Sequence, residues 1–369
     1  MKKNKVYVYA ICKNEEKFVE KWMESMNEAD GVYVLDTGST DKTVELLKKY
    51  GAVVNIEVIT PWRFDVARNR SLELVPNDAD ICVCTDLDEV FNPGWRQKLE
   101  NGWNKVRGCQ QAQYTYNWSQ DEFGNPLIQF NYNKIHRREG FIWNYPCHEW
   151  LSYIGKAPFK DVEIADVVLN HFQDQSKERS SYLNLLKMGV DEDPTDPRMA
   201  YYLGREYLME GKFELCRRTL KKYLELPNAT WNEERAAAMR WIADAYFKDR
   251  QLEKAKQWYF FSFLECDKAR EPYIEYASNL YDSGNHDWPT IFWLCDQAFR
   301  ITEKSKTFNN EEYAWNFKPH DLMALACYYL KMYELALEHG MLALKHWPDN
   351  EQLQSNLEFY RAGIEKGDD

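Results

Sequence analysis

The sequence predicts an α/β domain, built on a parallel sheet with helices on both faces, followed by an all-α domain of helical repeats. Three observations carry this. Between Val6 and Thr85, short apolar runs alternate with stretches of helical spacing. From about residue 197 the spacing is helical throughout, and helix pairs recur. One apolar run, Ile81-Cys82-Val83-Cys84-Thr85, ends by releasing three carboxylates, Asp86, Asp88 and Glu89. The expected domains are residues 1–178 and 179–369, which fits the usual span of roughly 100–200 residues per domain.

Taken in order, Val6 to Ile11 reads as a buried strand. Glu15 to Met26 places Phe18, Val19, Trp22, Met23 and Met26 on one helical face. Val32 to Leu35 is a second strand, ending at Asp36-Thr37-Gly38-Ser39-Thr40-Asp41. The helix Lys42 to Tyr50 follows, with Asp41 or Thr40 as N-cap. Val53 to Ile59 is the third strand, Asp65 to Leu74 a helix, and Ile81 to Thr85 the fourth strand. Cys109 to Trp118 and Leu127 to His136 are strands about a turn at Asp121 to Pro126. A further strand leads to Asn170-His171. Ser180 to Val190 is a connecting helix, and Asp193 to Pro197 a hinge.

Composition narrows the function. A net charge of −12 argues against nucleic acid or an anionic membrane as the main partner, because both need a basic face. Lys134 to Arg138 is the best candidate for a local basic patch. No run approaches the ~20 apolar residues of a membrane span, and Val6 to Ile11 is too short for a signal sequence. The nine cysteines show no paired spacing, which points to free thiols in a reducing cytoplasm.

In open α/β sheets ligands bind beyond the carboxyl ends of the strands. Three polar clusters fall there: Lys13-Asn14-Glu15, Asp36 to Ser39, and Asp86 to Glu89. Neither a Gly-x-Gly-x-x-Gly nor a Gly-Lys-Ser/Thr sequence is present, so a Rossmann cofactor fingerprint and a P-loop are both excluded. A carboxylate cluster at a strand end calls for a compensating cation, and a hard divalent ion, Mg²⁺ or Mn²⁺, suits oxygen ligands. A nucleotide held through carboxylates and such a metal is the remaining economical choice.

These motifs carry a resemblance. Val8 to Glu16, then Val34-Leu35-Asp36-Thr37-Gly38-Ser39-Thr40-Asp41-Lys42-Thr43, then Trp62-Arg63-Phe64-Asp65-Val66-Ala67-Arg68-Asn69, then the Asp-x-Asp at Asp86 and Asp88, together resemble family 2 glycosyltransferases of the GT-A fold. This is the Rossmann-like, nucleotide-diphospho-sugar transferase architecture. The resemblance spans about residues 5 to 185 and is closest to the branch with C-terminal tetratricopeptide-like helices that includes peptide S-glycosyltransferases of bacteriocins. It implies a nucleotide-sugar donor such as a UDP-sugar, a divalent metal, and hexosyl transfer with inversion. It places Glu15 and Asp36 at the base and ribose, with Ile11, Lys13 and Gly38 beside them. It places Asp65 and Arg68 at the nucleotide and diphosphate. Asp86 and Leu87 fall at the donor, and Asp88 is the likelier direct metal ligand of the two aspartates. Leu87 stands where the branch often has a small residue, which would narrow the donor pocket.

Phe141 to Leu151 includes His148-Glu149, matching a His-Glu pair of that branch. An inverting transfer needs a base for the acceptor proton, and Glu149 in an aromatic surround is the candidate; it could equally pair with Arg137 or Arg138. His171 matches the histidine that completes the metal shell in related enzymes, with His148 the rival. Tyr114, Tyr116, Trp118, Trp143, Tyr145 and Trp150 are candidate sugar-stacking walls or packing.

In the second half, Tyr201 to Tyr207, Trp241 to Tyr246, Tyr276 to Tyr281 and Leu325 to Tyr329 are alike. Each leads through a polar turn to a second helix, as in Ala255 to Phe263. This resembles degenerate tetratricopeptide repeats, about four from residue 197 to 360. Such an array serves equally to capture a protein or peptide acceptor or to pair two copies. Two other functions fit the same features: a non-catalytic nucleotide-binding repeat adaptor, and a glycosyltransferase acting on modified DNA, which the acidity disfavours.

Overall fold

The structure is a computed structural model that describes residues 3–121, 124–174, 182–284 and 286–367. Its contacts divide the chain into two units, Met1–Pro194 and Thr195–Asp369. Parts of three expected features, at 122–123, 180–181 and 285, lie outside the described residues.

The first unit runs β1 (Val6–Cys12), α1 (Glu16–Met26), β2 (Gly31–Asp36), α2 (Thr43–Lys49), β3 (Val53–Ile56), α3 (Phe64–Glu73), β4 (Ile81–Cys84), β5 (Glu89–Phe91), α4 (Trp95–Trp103), β6 (Gln111–Gln120), β7 (Pro126–His136), β8 (Phe141–Asn144), β9 (Trp150–Tyr153), β10 (Asp161–His171) and α5 (Tyr182–Glu192). Helix α5 therefore falls in the first unit, beyond the 178/179 division expected from sequence.

Strand β1 is buried on both faces, its side chains alternating with the pleat. Val6, Val8, Ala10 and Cys12 of β1 join one cluster with Trp22 and Met26 of α1, Leu47 of α2 and Trp95 and Leu99 of α4. Tyr9 points the other way, with Cys82 and Cys84 of β4, Leu72 of α3 and Trp143 of β8. The sheet order is β3-β2-β1-β4-β7-β6-β10-β5, with β8 and β9 forming a separate hairpin. The first four strands are parallel, as expected. The sheet as a whole is mixed: β7 joins β4 and β6 antiparallel, and β5 joins β10 antiparallel. The short strand β5 and helix α4 had no counterpart in the sequence reading, because Asn92-Pro93-Gly94 breaks the pattern between them.

The basic patch expected at 134–138 does not form. Alternation along β7 turns Lys134 and His136 inward, where they are 5% and 0% exposed. Arg137 Nε donates to Cys109 O, and Arg138 Nε to Val75 O at 3.1 Å. The cations are thus spent on internal partners, because edge pairing of β7 with β4 and β6 places this run inside the sheet.

The second unit stacks helix pairs: α6 (Pro197–Met209) with α7 (Phe213–Glu225), α8 (Asn232–Lys248) with α9 (Leu252–Glu265), α10 (Glu271–Asp282) with α11 (Trp288–Arg300), and α12 (Lys318–Tyr329) with α13 (Tyr333–His346). Helix α14 (Glu351–Gly367) packs on α13. The turn within each pair carries one residue of positive φ: Gly211 (71°), Arg250 (59°), Gly284 (72°) and Lys331 (63°). This left-handed residue satisfies the last carbonyls of the first helix. Small residues set the approach of paired helices: a Cβ on Gly204 would lie 2.3 Å from Leu220 of the facing helix.

Candidate active site

The parallel strands β1 and β2 end together, with Cys12 opposite Asp36, and β4 ends three residues earlier, with Cys84 opposite Tyr9. At the end of β2, Asp36 is 1% exposed. Its Oδ1 accepts from Gly38 N and Ser39 N, both at 3.0 Å, and its Oδ2 from the Ser39 hydroxyl and Cys12 Sγ. Gly38 has φ +107°, a conformation that L side chains rarely adopt, which lets the loop fold back on the carboxylate. Glu15 is buried where α1 begins, and its N–H donates to Thr43 Oγ1 at 2.7 Å. Ile11 is buried beside them against Leu35 and Ala67, while Lys13 is exposed. Asp41, rather than Thr40, accepts from Thr43 N at 3.0 Å at the start of α2.

At the end of β4 the carboxylates separate into two groups. Asp86 is matched by the chain's own cations: Arg68 Nη2 stands 2.7 Å from its Oδ1 and Lys134 Nζ 3.4 Å from its Oδ2. Burial alone would raise its pKa, but Arg68 and Lys134 hold it well below the usual carboxylate range. Glu89 is buried, accepts from Asp86 N at 2.9 Å and from the Tyr116 hydroxyl at 2.7 Å, and lies 3.7 Å from Lys134. Burial pushes its pKa up, with Lys134 opposing. Leu87 is 2% exposed and packs in the core, contributing to a cleft with Asp88, Phe18 and Phe172, flanked by Lys17 and Lys21.

Arg68 also reaches Glu149, Nε to Oε1 at 3.0 Å. The partner of Glu149 is thus Arg68, not Arg137 or Arg138. Asp65 is held instead by Arg63, Nη2 to Oδ2 at 2.9 Å, and Arg63 also pairs with Glu192.

Asp88 belongs to the second group. In the antiparallel ladder of β5 and β10, His171 lies opposite Glu89, and Phe172 N donates to Asp88 O at 2.7 Å. This brings His171 Nε2 to 3.4 Å from Asp88 Oδ2. His171 Nδ1 lies 3.2 Å from Trp118 O, so that nitrogen carries the donated proton and Nε2 is turned to the carboxylate. Burial would lower the His171 pKa; the hydrogen bond and charge of Asp88 outweigh it and raise it. The pair fits a divalent cation. One oxygen and one imidazole nitrogen at this separation can both reach an ion about 2.0–2.2 Å from each. Among the described residues no group of three or more His, Cys, Asp or Glu side chains converges, so a cation here would need further ligands from solvent or a bound molecule. His148 is elsewhere, with φ +48° and its ring 5.7 Å from that of Tyr182.

Of the aromatic residues, Tyr114, Tyr116 and Trp143 are buried and serve as core rather than walls. Trp118 stands 4.7 Å from the His171 ring. Lys134 is the main site residue that sequence reasoning misplaced. Its signal was its alternation with His136 on one face of β7.

Residues 7–162 match the sequence model of the family described as Glycosyl transferase family 2. A protein of Rickettsia bellii (strain RML369-C), described as an uncharacterized glycosyltransferase, is 33% identical over 97 residues. That match covers 26% of this chain and 32% of the relative, so the chain spans about a third of that protein's length. Among solved structures, MamA is 15% identical with a TM-score of 0.35, over 47% of this chain and 95% of that one. The C-terminal part of a TPR repeat-containing protein from Cytophaga hutchinsonii is 16% identical with a TM-score of 0.41, over 51% and 67%. Residues 7–162, from β1 through β9, thus carry a glycosyl transferase family 2 domain, and His171 lies beyond the matched residues.

Proposed function

We propose that the protein is an inverting, metal-dependent glycosyltransferase that moves a sugar from a nucleotide-sugar donor, such as a UDP-sugar, to a protein or peptide acceptor. The observation that carries it is the Asp88–His171 pair, whose aspartate follows β4 within the residues that match family 2. Glu15 and Asp36 are assigned to the base and ribose of the donor, with Ile11, Lys13 and Gly38 around them. Asp88 and His171 would hold Mn²⁺ or Mg²⁺, whose charge offsets that of the leaving diphosphate. Arg68, buried between Asp86 and Glu149, orients both carboxylates. Glu149 accepts the acceptor proton as the nucleophile attacks opposite the diphosphate. The helical second unit, next in the chain, supports a protein or peptide acceptor. Free buried thiols support a cytoplasmic setting.

The test is Glu149→Gln. Donor binding by calorimetry should stay within about threefold of wild type, while transfer falls by roughly 10²–10⁴-fold, the range of general-base catalysis. Undiminished transfer would remove Glu149 from the mechanism.

A further inference from the structure

The first helices of the repeats form a continuous face, α6 on α8, α8 on α10 and α10 on α12. The connections 226–231, 266–270 and 347–350 are short, as stacked helices require. The connection 301–317 is long, and it folds back across that face. Ser305 and Thr307 hydroxyls donate to Glu233 Oε2 of α8 at 2.9 and 2.6 Å. The Phe308 ring packs against Trp231 at 5.4 Å and Tyr202 of α6 at 6.3 Å. Asn309 Oδ1 accepts from the Tyr201 hydroxyl at 2.8 Å. Glu311 Oε1 lies 3.2 Å from Arg240 Nη2, a guanidinium otherwise matched by Glu275 of α10.

Two features separate this arrangement from an ordinary loop. Its side chains touch two successive repeats and Glu311 N reaches a third, donating to Glu271 Oε1 of α10 at 3.1 Å, as a bound peptide does. And it leaves hydrogen-bonding capacity unused: Asn309 Nδ2 and Asn310 Oδ1 have no protein partner although both atoms are buried. Both residues line a cleft with Arg240 and the exposed Lys268. The end of the segment is anchored by Ala314, which is fully buried in the core.

We propose that residues 303–311 are a built-in ligand of the repeat face, so that a protein partner reaches this face only by displacing them. The chemistry able to do so is that of the segment itself: a hydroxyl pair for Glu233, an aromatic ring for Trp231 and Tyr202, then an amide for Tyr201 and a carboxylate for Arg240. The claim concerns the second unit and does not depend on the glycosyl-transfer assignment.

The experiment uses the full chain. In one variant, residues 303–311 are replaced by a Gly/Ser run of equal length, which keeps the anchor at Ala314. A fluorescent peptide of residues 303–311 is titrated into both proteins. Binding to the variant should be at least ten-fold tighter than to wild type, and should weaken several-fold when Glu233→Gln is added. Equal binding to both proteins would show the face already open, and no binding to a folded variant would show that the segment is not a ligand; either overturns the proposal. Should the variant lose its helical signal, Phe308→Ala decides. Amides of 303–311 should then exchange at least ten-fold faster while α8 and α10 stay protected, and unchanged exchange overturns the proposal.

Discussion

His171 Nε2 faces Asp88 Oδ2 at 3.4 Å, although 83 positions of chain separate them, because β10 runs antiparallel to β5 and sets position 171 against position 89. Two half-buried side chains thus present a carboxylate oxygen and, in the neutral imidazole, the Nε2 lone pair to a common point. In Asp88→Asn the oxygen charge is removed and the shape kept. Mn²⁺ affinity, measured by titration calorimetry, should fall at least about ten-fold, and donor hydrolysis by roughly a hundred-fold or more, equivalent to several kcal/mol of transition-state stabilisation. Wild-type values for both would remove the pair from the metal site.

Lys134 is 5% exposed between Asp86 and Glu89. Removing one partner of a buried ion network leaves uncompensated charge, at a cost of about 3–5 kcal/mol. Lys134→Met should therefore destabilise the first unit by about that much in denaturant unfolding. Adding Glu89→Gln should recover part of the loss. A Lys134→Met chain as stable as wild type would show that the carboxylates are satisfied without it.

Arg250 and Lys331 hold the same left-handed turn position as Gly211 and Gly284. A side chain there costs about 1 kcal/mol relative to glycine. Arg250→Gly and Lys331→Gly should each stabilise the repeats by about 0.5–1 kcal/mol, while Gly211→Ala should destabilise by a similar amount. Thermal unfolding of the three variants reads the sign directly.

His320 and His339 meet nitrogen to nitrogen at 2.9 Å between α12 and α13. Burial, with the neighbouring imidazoles of His339 and His346, lowers the His320 pKa to about 4. A histidine depressed in this way takes up its proton more readily unfolded, so its contribution to stability is present above about 6.5 and is lost as pH falls toward 4. Asp321 acts in the opposite sense, since burial raises its folded pKa to about 6. The quantity to measure is therefore the difference between wild type and His320→Gln. Melting temperatures should converge as pH drops from 6.5 to 4, and parallel curves would contradict the pairing.

The alternation of apolar runs and helical faces up to Thr85 was legible because each element there packs on its sequence neighbours. The carboxylates at strand ends were legible for the same reason: Asp36, Asp86 and Asp88 follow apolar runs. Their partners were not. Lys134 meets Asp86 because β7 lies beside β4, and Arg68 of α3 meets Glu149 beside the β8-β9 hairpin; both are long-range relations that no local pattern encodes. In the second unit the helix pairs were visible through small residues and polar turns. The fold-back of 301–317 was not, since its contacts are single polar and aromatic matches without periodicity.

All nine cysteines are buried, five of them in the first unit and four in the second. Burial pushes several of their pKa values up, Cys84 and Cys327 to about 11, so a thiolate is rare even where solvent comes near. Alkylation of the native chain must then wait for structural opening. Because Cys12, Cys82, Cys84, Cys109 and Cys147 report on one unit and Cys216, Cys266, Cys295 and Cys327 on the other, mass-resolved labelling gives two independent clocks, and their rates reveal which half of the molecule breathes first.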